Sequence, residues 1–391
     1  MSRLAVDATV GVTDLVEDMH RSVAHLAPPL GLSAPGRMGG LTGFVYRRVR
    51  GVTRAAGRGL DAFLAQIAPY LDCESEGPRR DALRAVVNGV VGDHLAATGN
   101  PLAIPMQLRH GRRPLALDRH ALRAQFGPRH DRLLVLVHGL CMNDLGWTRD
   151  GHDHGTALAR ELRLTPVYLR YNSGRSIAEN GRDFAALLDT VLQTWPVPVR
   201  EISILGHSMG GLVARSACHY GAQADHAWLP ALKHIVFLGT PHHGAPPEQA
   251  GSLVDQALGM SPYTAPFARL GLIRSAAIQD LRHGTILDEQ ERGRRPSHVP
   301  LAEGVACFAV AATRQTRRGD ALADLPGDGL VSVCSALARC QGPAQSLSMP
   351  DAHQYVGYGL HHFDLLSSRV VFERIVSWLS DARLGASSPP H

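Results

Sequence analysis

Between Ile202 and Gly211 an apolar run stops at a serine set between glycines, Gly206-His207-Ser208-Met209-Gly210, and a helical pattern begins at once. A chain that passes from strand to helix with almost no loop must turn sharply at the tip. Small residues two before and two after that tip let strand and helix cross closely. Such a turn pushes the Ser208 hydroxyl clear of the sheet. It also aims the first N–H groups of the helix, at the positive end of its dipole, toward negative charge developing beside the serine. A glycine-rich turn with an incidental serine needs neither the strand before it nor the helix after it, and both patterns are present here.

The same alternation runs through the chain from about Leu133. Leu133-Leu134-Val135-Leu136-Val137 is a continuous apolar run of the buried parallel-strand type. Thr165 to Tyr171 makes the next strand, and Ser176 with Glu179 forms a capping box that opens a helix through Phe184, Leu187, Leu188 and Val191. Ile202 to Leu205, Ile235 to Leu238 and Val305 to Ala311 continue the sheet, and a C-terminal helix runs through Phe372, Ile375, Val376 and Leu379. The fold class is therefore α/β, with a mostly parallel sheet covered by helices on both faces. A stretch rich in Gly, Pro, Ala and Leu, about residues 245–300, interrupts the alternation. It has helix-like pieces around Leu253-Val254-Leu258 and Ile273-Ile278-Leu281, and its length and place suit a lid over a pocket.

Residues 1–126 read as a mainly helical N-terminal region and 127–391 as the catalytic domain. Thr13 to Leu26 places Leu15, Val16, Met19, Val23 and Leu26 on one face. Asp81 is the expected cap of a second helix with Val86, Val87, Val90, Val91 and Leu95 along its face. A short hairpin follows over residues 106–115, with its turn at His110-Gly111 and Pro114 counting against it. These apolar faces serve packing; contact with a membrane surface or a partner is their other use.

A serine needs a base, a group that orients the base, and a site for an oxyanion before it acts as a nucleophile. The run ending at Val137 leads into His138-Gly139-Leu140, where an oxyanion loop belongs. The backbone N–H groups of Leu140 and of Met209 are the expected donors. His138 reads as a structural loop histidine. Asp328, between glycines in Gly327-Asp328-Gly329-Leu330-Val331, is the expected acid, with Asp320 and Asp324 as rivals. The base is one of the histidines of Gly359-Leu360-His361-His362-Phe363-Asp364-Leu365-Leu366. The chain order Ser, Asp, His separates this set from chymotrypsin-type and subtilisin-type arrangements.

With Gly239-Thr240-Pro241-His242-His243-Gly244 added to these motifs, the segment from about Leu133 to Leu379 resembles an α/β hydrolase of the esterase and lipase superfamily. It is similar to bacterial triacylglycerol lipases and PGAP1-like inositol deacylases. In such relatives the catalytic histidine precedes an acidic or apolar residue and a Leu-Leu pair, which favours His362 over His361. The resemblance implies a serine hydrolase that cleaves carboxylic esters, lipids among them, through an acyl-enzyme on Ser208. It leaves open acyltransferase, thioesterase or amidase use of the same triad, and a non-catalytic scaffold that binds a partner. Secreted lipases of this kind usually carry a signal peptide and often a calcium site; neither signature is found.

The remaining composition narrows the class. The first 27 residues include Asp7, Asp14, Glu17 and Asp18 and lack a basic start with an apolar core, so no secretory signal is expected. No run of about eighteen apolar residues suggests a membrane span. The six cysteines, Cys73, Cys141, Cys218, Cys307, Cys334 and Cys340, are scattered and read as small core residues of a reducing compartment, so the expected location is cytoplasmic. The net charge of +5 is spread among 35 acidic residues with aromatics at 5%, which argues against nucleic acid as a partner. Lys233 is the only lysine, leaving little scope for Schiff-base chemistry. His152-Asp153-His154 and the paired histidines do not form a metallohydrolase cluster, and Gly139-Leu140-Cys141 lacks the glycines of a nucleotide loop. No metal or cofactor is expected.

Overall fold

A computed structural model describes residues 77–126, 130–244, 275–288, 299–316, 327–339 and 347–385. The strands are β1 (Gln107–His110), β2 (Arg113–Pro114), β3 (Arg132–Val137), β4 (Thr148–Arg149), β5 (His152–Asp153), β6 (Thr165–Arg170), β7 (Glu201–His207), β8 (Leu232–Leu238), β9 (Ala306–Thr313) and β10 (Gln354–Tyr358). The helices are α1 (Pro78–Ala97), α2 (Arg119–Gln125), α3 (His154–Leu162), α4 (Ile177–Thr194), α5 (Met209–Gln223), α6 (Ala276–His283), α7 (Val333–Ala336) and α8 (Arg369–Gly385).

An eight-stranded sheet runs β10-β9-β8-β7-β3-β6-β1-β2, while β4 and β5 form a separate ribbon. The strands from β10 to β6 in that order are mutually parallel, and β1 joins β6 antiparallel. This is the α/β-hydrolase fold. The central strands are apolar on successive residues because both faces are covered. Along β3, Leu133, Val135 and Val137 enter one core, shared with Phe184 and Leu188 of α4 and Leu212 of α5. Leu134 and Leu136 enter the opposite core with Leu158 of α3 and Ile375 and Trp378 of α8. The capping box of Ser176 and Glu179 opens α4 as the sequence predicts.

The described part of the region before residue 127 packs on the main core: Val87, Val90 and Val91 of α1 and Leu108 of β1 belong to it. Asp81 does not cap α1. Gly77 is the cap, Pro78 supplies the pre-set φ of the first turn, and Asp81 pairs with Arg170 at 3.0 Å. The hairpin loop is Gly111-Arg112, one residue later than predicted, and Pro114 is tolerated because β2 is the sheet edge. β10 was not foreseen, since Gln354-Tyr355-Val356-Gly357-Tyr358 alternates too weakly. Cys141, Cys218 and Cys307 are free and buried, but Cys334 is disulfide-bonded. A disulfide-bonded cysteine means that cysteine usage no longer argues for a reducing compartment. The helix predicted over Thr13 to Leu26, most of the 245–300 insert, Asp320, Asp324, Cys73 and Cys340 lie outside the described residues. No helix among the described residues is long and apolar enough to cross a membrane.

Candidate active site

Ser208 follows β7 as the N-cap of α5, with φ 54° and ψ −126°. Left-handed backbone of this kind costs a residue with a Cβ on the order of 1–3 kcal/mol and persists only where the surroundings enforce it. Here they do. A Cβ on Gly206 would stand 2.7 Å from Gly211 Cα, and one on Gly210 would stand 2.2 Å from the Val137 carbonyl oxygen. The ends of β3, β7 and α5 meet backbone to backbone, and only hydrogen fits between them. From the other side, the Ser208 N–H donates to the Leu238 carbonyl at 2.8 Å. Ser208 Oγ is buried and has no hydrogen-bond partner among the described residues.

The loop after β3 comes up against this turn. A Cβ on Gly139 would lie 3.1 Å from Ser208 Cβ, so the loop that carries Leu140 passes close to the serine, and Met209 follows the serine directly as the first residue of α5. As the opening residue of a helix, Met209 has an amide with no partner inside that helix. The loop is pinned from behind. Cys141 N–H donates to Ser173 Oγ at 3.0 Å, and Tyr171 donates its hydroxyl to the His138 carbonyl at 2.7 Å while stacking on the His138 ring. Burial pushes His138 down to about 4, which leaves it neutral and structural. Cys141, its thiol pushed up to about 12 by burial, packs against Gly89 of α1.

Asp328 and His362 meet directly. His362 Nδ1 donates to Asp328 Oδ2 at 2.7 Å, both side chains being 1% exposed. Asp328 Oδ1 accepts from the N–H groups of Leu330 (2.9 Å) and Val331 (2.8 Å), so the carboxylate is aimed by its own loop. A carboxylate only accepts, which places the imidazole proton on Nδ1 and the lone pair on Nε2. That Nε2 is buried and, like Ser208 Oγ, has no partner among the described residues. The two atoms are not hydrogen-bonded to each other, though both groups line the end of β8: Ser208 N–H bonds Leu238, and a Cβ on Gly239 would lie 3.0 Å from His362 Cε1. His361 is exposed, and its backbone N–H donates to Asp364 Oδ2 at 2.8 Å; it does not enter the cluster.

His207 was not singled out from the sequence. Its Nε2–H donates to the His362 carbonyl at 3.3 Å and its ring lies 4.7 Å from that of His362. Burial first, and then the nearby His362, hold it well below the ordinary histidine range, so it stays uncharged. Tyr171 and Ser173 were missed as well. Their partners lie more than thirty residues back along the chain, at His138 and Cys141, and no local pattern carries such a signal. The described residues hold no group of three or more His, Cys, Asp or Glu arranged for a metal ion.

The PGAP1-like alpha/beta domain family matches residues 172–290, which include the Ser208 turn. A comparison with curated proteins finds no match. Among solved structures, the chain is similar to the mature form of the Bacillus licheniformis lipase BlEst2, with 20% identity, 63% of this chain and 91% of that one covered, and a TM-score of 0.44. It is also similar to Aspergillus fumigatus lipase B, with 16% identity, 72% and 61% covered, and a TM-score of 0.39. The Pyrococcus furiosus esterase PF2001 aligns at 12% identity, with 65% and 81% covered and a TM-score of 0.40.

Proposed function

We propose that this protein is a serine hydrolase that cleaves carboxylic esters, lipid esters among them. The observation that carries the proposal is the buried Asp328–His362 pair, which presents an unpaired Nε2 at the same strand ends where the strained turn presents an unpaired Ser208 Oγ. His362 Nε2 takes the Ser208 proton as Oγ attacks the ester carbonyl. Asp328, aimed by the Leu330 and Val331 amides, holds the ring in the tautomer that leaves Nε2 free and stabilises the imidazolium that forms. The Leu140 and Met209 N–H groups receive the oxyanion. His362 then returns the proton to the leaving alcohol, and water releases the acyl group by the same route.

The test is turnover of a short-chain aryl ester together with labelling by a fluorophosphonate. Ser208→Ala is expected to lose both, with turnover falling by on the order of 10⁶. Undiminished labelling of that variant would remove Ser208 from the mechanism.

A further inference from the structure

A cleft of about 770 Å³ lies between the β1–β2 hairpin and α3, and none of Ser208, Asp328 or His362 lines it. Its volume is that of a small-molecule site, for which about 300–1,000 Å³ is usual. Its imidazoles are anchored by one edge only. His110 Nδ1 lies 2.7 Å from the Pro166 carbonyl oxygen and His130 Nδ1 2.8 Å from Thr165 Oγ1. Both rings rest against buried Phe126, with centroids 4.9 and 5.4 Å away. A carbonyl only accepts, so His110 carries its proton on Nδ1. The Nε2 atoms of His110 and His130 have no hydrogen-bond partner among the described residues.

The charges around these rings decide what they are suited to hold. Asp144 is consumed by ion pairs with Arg109 and Arg170. Asp153 accepts from the Thr156 N–H at 2.7 Å, the Tyr168 hydroxyl at 2.6 Å and the Thr148 hydroxyl at 3.2 Å. His152, the remaining imidazole of the cleft, spends its Nε2 on His154 Nδ1 at 2.8 Å. By contrast, the guanidinium groups of Arg112 and Arg160 have no acidic partner among the described residues. Arg112 occupies the second loop position of the hairpin at φ 67°, a place usually given to Gly, Asn or Asp. The cleft therefore has one acid ion-paired, the acceptor positions of the other occupied by neutral donors, and two cations without acidic partners among the described residues, which disfavours a metal ion and favours an anion.

We propose that this cleft binds a small dianion of the phosphate monoester class, seated against the free Nε2 edges of His110 and His130 and reached by Arg112 and Arg160. An imidazole protonated at both nitrogens donates from Nε2 while keeping its Nδ1 anchor, which is the form that suits an anion. Burial, with the proximity of His110 adding to it, holds His130 below its ordinary range, and an anion between the rings reverses that second effect.

Calorimetric titration of phenyl phosphate, and of sulfate as a dianion that does not itself titrate, into the full chain tests this. Both anions are expected to bind saturably, with sulfate held about tenfold more tightly at about pH 6 than at about pH 8. Arg160→Gln, on the exposed side of α3, is expected to weaken binding about tenfold. His110→Gln is expected to flatten the pH dependence. Thermal melts of both variants should match the parent, and ester turnover should be unchanged. Absence of saturable binding, or binding that Arg160→Gln and His110→Gln leave untouched, overturns the proposal.

Discussion

Strand β7 begins and ends in opposite chemical conditions. At its start Glu201 makes two bonds to Arg132, at 2.6 and 3.0 Å, while Arg132 also donates to the Leu162 carbonyl. His234 completes the group, with Nδ1 3.1 Å from Ser203 Oγ and 3.5 Å from Glu201. At its end, seven residues on, Ser208 Oγ, His362 Nε2, His207 Nδ1 and Thr240 Oγ1 are all buried without hydrogen-bond partners among the described residues, beside a left-handed serine. A buried polar group left unpaired costs about 1–3 kcal/mol. The start of β7 has these groups paired, whereas its end brings several unpaired ones together among the described residues. Paired groups hold a fold, whereas unpaired ones next to strained backbone are what an incoming substrate and its transition state can satisfy. Variants at the two ends should therefore separate stability from turnover.

The largest separation is expected at Asp328. Asp328→Asn keeps the shape of the loop but offers an amide in place of an acceptor-only carboxylate, so His362 no longer keeps its proton on Nδ1. Turnover should fall by about 10⁴, while the denaturant midpoint moves little. A fall of less than about tenfold would mean that the imidazole works without its partner. Next comes Gly210→Ala, whose added methyl would sit 2.2 Å from the Val137 carbonyl. Here stability and turnover should fall together, the former by about 3 kcal/mol or more, because β3 and α5 must separate. Chemical denaturation alongside ester assays checks both.

Those variants also mark what the chain discloses before it folds. The Ser208 turn is legible because its cause is local: the glycines, the apolar run before them and the helix after them lie within ten residues. The central strands are legible for a related reason, since burial on both faces forces continuous apolar runs such as Leu133 to Val137. Asp328 and His362 are visible as candidates, but their mutual distance is a tertiary fact, and the preference for His362 over His361 came from resemblance. His207, Tyr171 and Ser173 were opaque because they act across strands. Asp81 misled because a carboxylate near a helix start suits a cap, while its partner Arg170 lies far along the chain. β1 escaped assignment to the main sheet because four residues carry too short a pattern to show which strand they will join.

At the satisfied end of β7 the expected effect is on pH dependence. Burial alone would raise the Glu201 carboxyl, but hydrogen bonds from His234 and Arg132 outweigh it and bring the group from 4.5 down to about 2. A depressed carboxyl contributes stability that is present in full above its unfolded value and is lost as pH falls toward the folded one. The contribution, on the order of 3 kcal/mol, should disappear between about pH 4.5 and pH 2. Denaturant midpoints measured across that window should fall more steeply for the parent than for Glu201→Gln, with turnover at neutral pH alike in both. Parallel slopes would mean that the paired end contributes nothing specific to the carboxylate.

The smallest effect is expected one residue from one of the largest. His361 and His362 are neighbours of the same type, yet the backbone sends one outward to cap a short turn with Asp364 and the other inward to Asp328. His361→Ala removes an exposed side chain whose loss is that of a helix cap, about 0.5–1 kcal/mol at most, since the backbone bond to Asp364 remains. Ester turnover should stay within about twofold of the parent, against a loss on the order of 10⁶ for His362→Ala. The pair is informative because composition, charge and local sequence are nearly identical in the two variants, so only the direction of the side chain differs. If His361→Ala lost as much turnover as His362→Ala, the proton would have to travel by a route that the buried bond between Asp328 and His362 does not supply. The contrast between the two ends of β7 would then no longer identify where the chemistry is done.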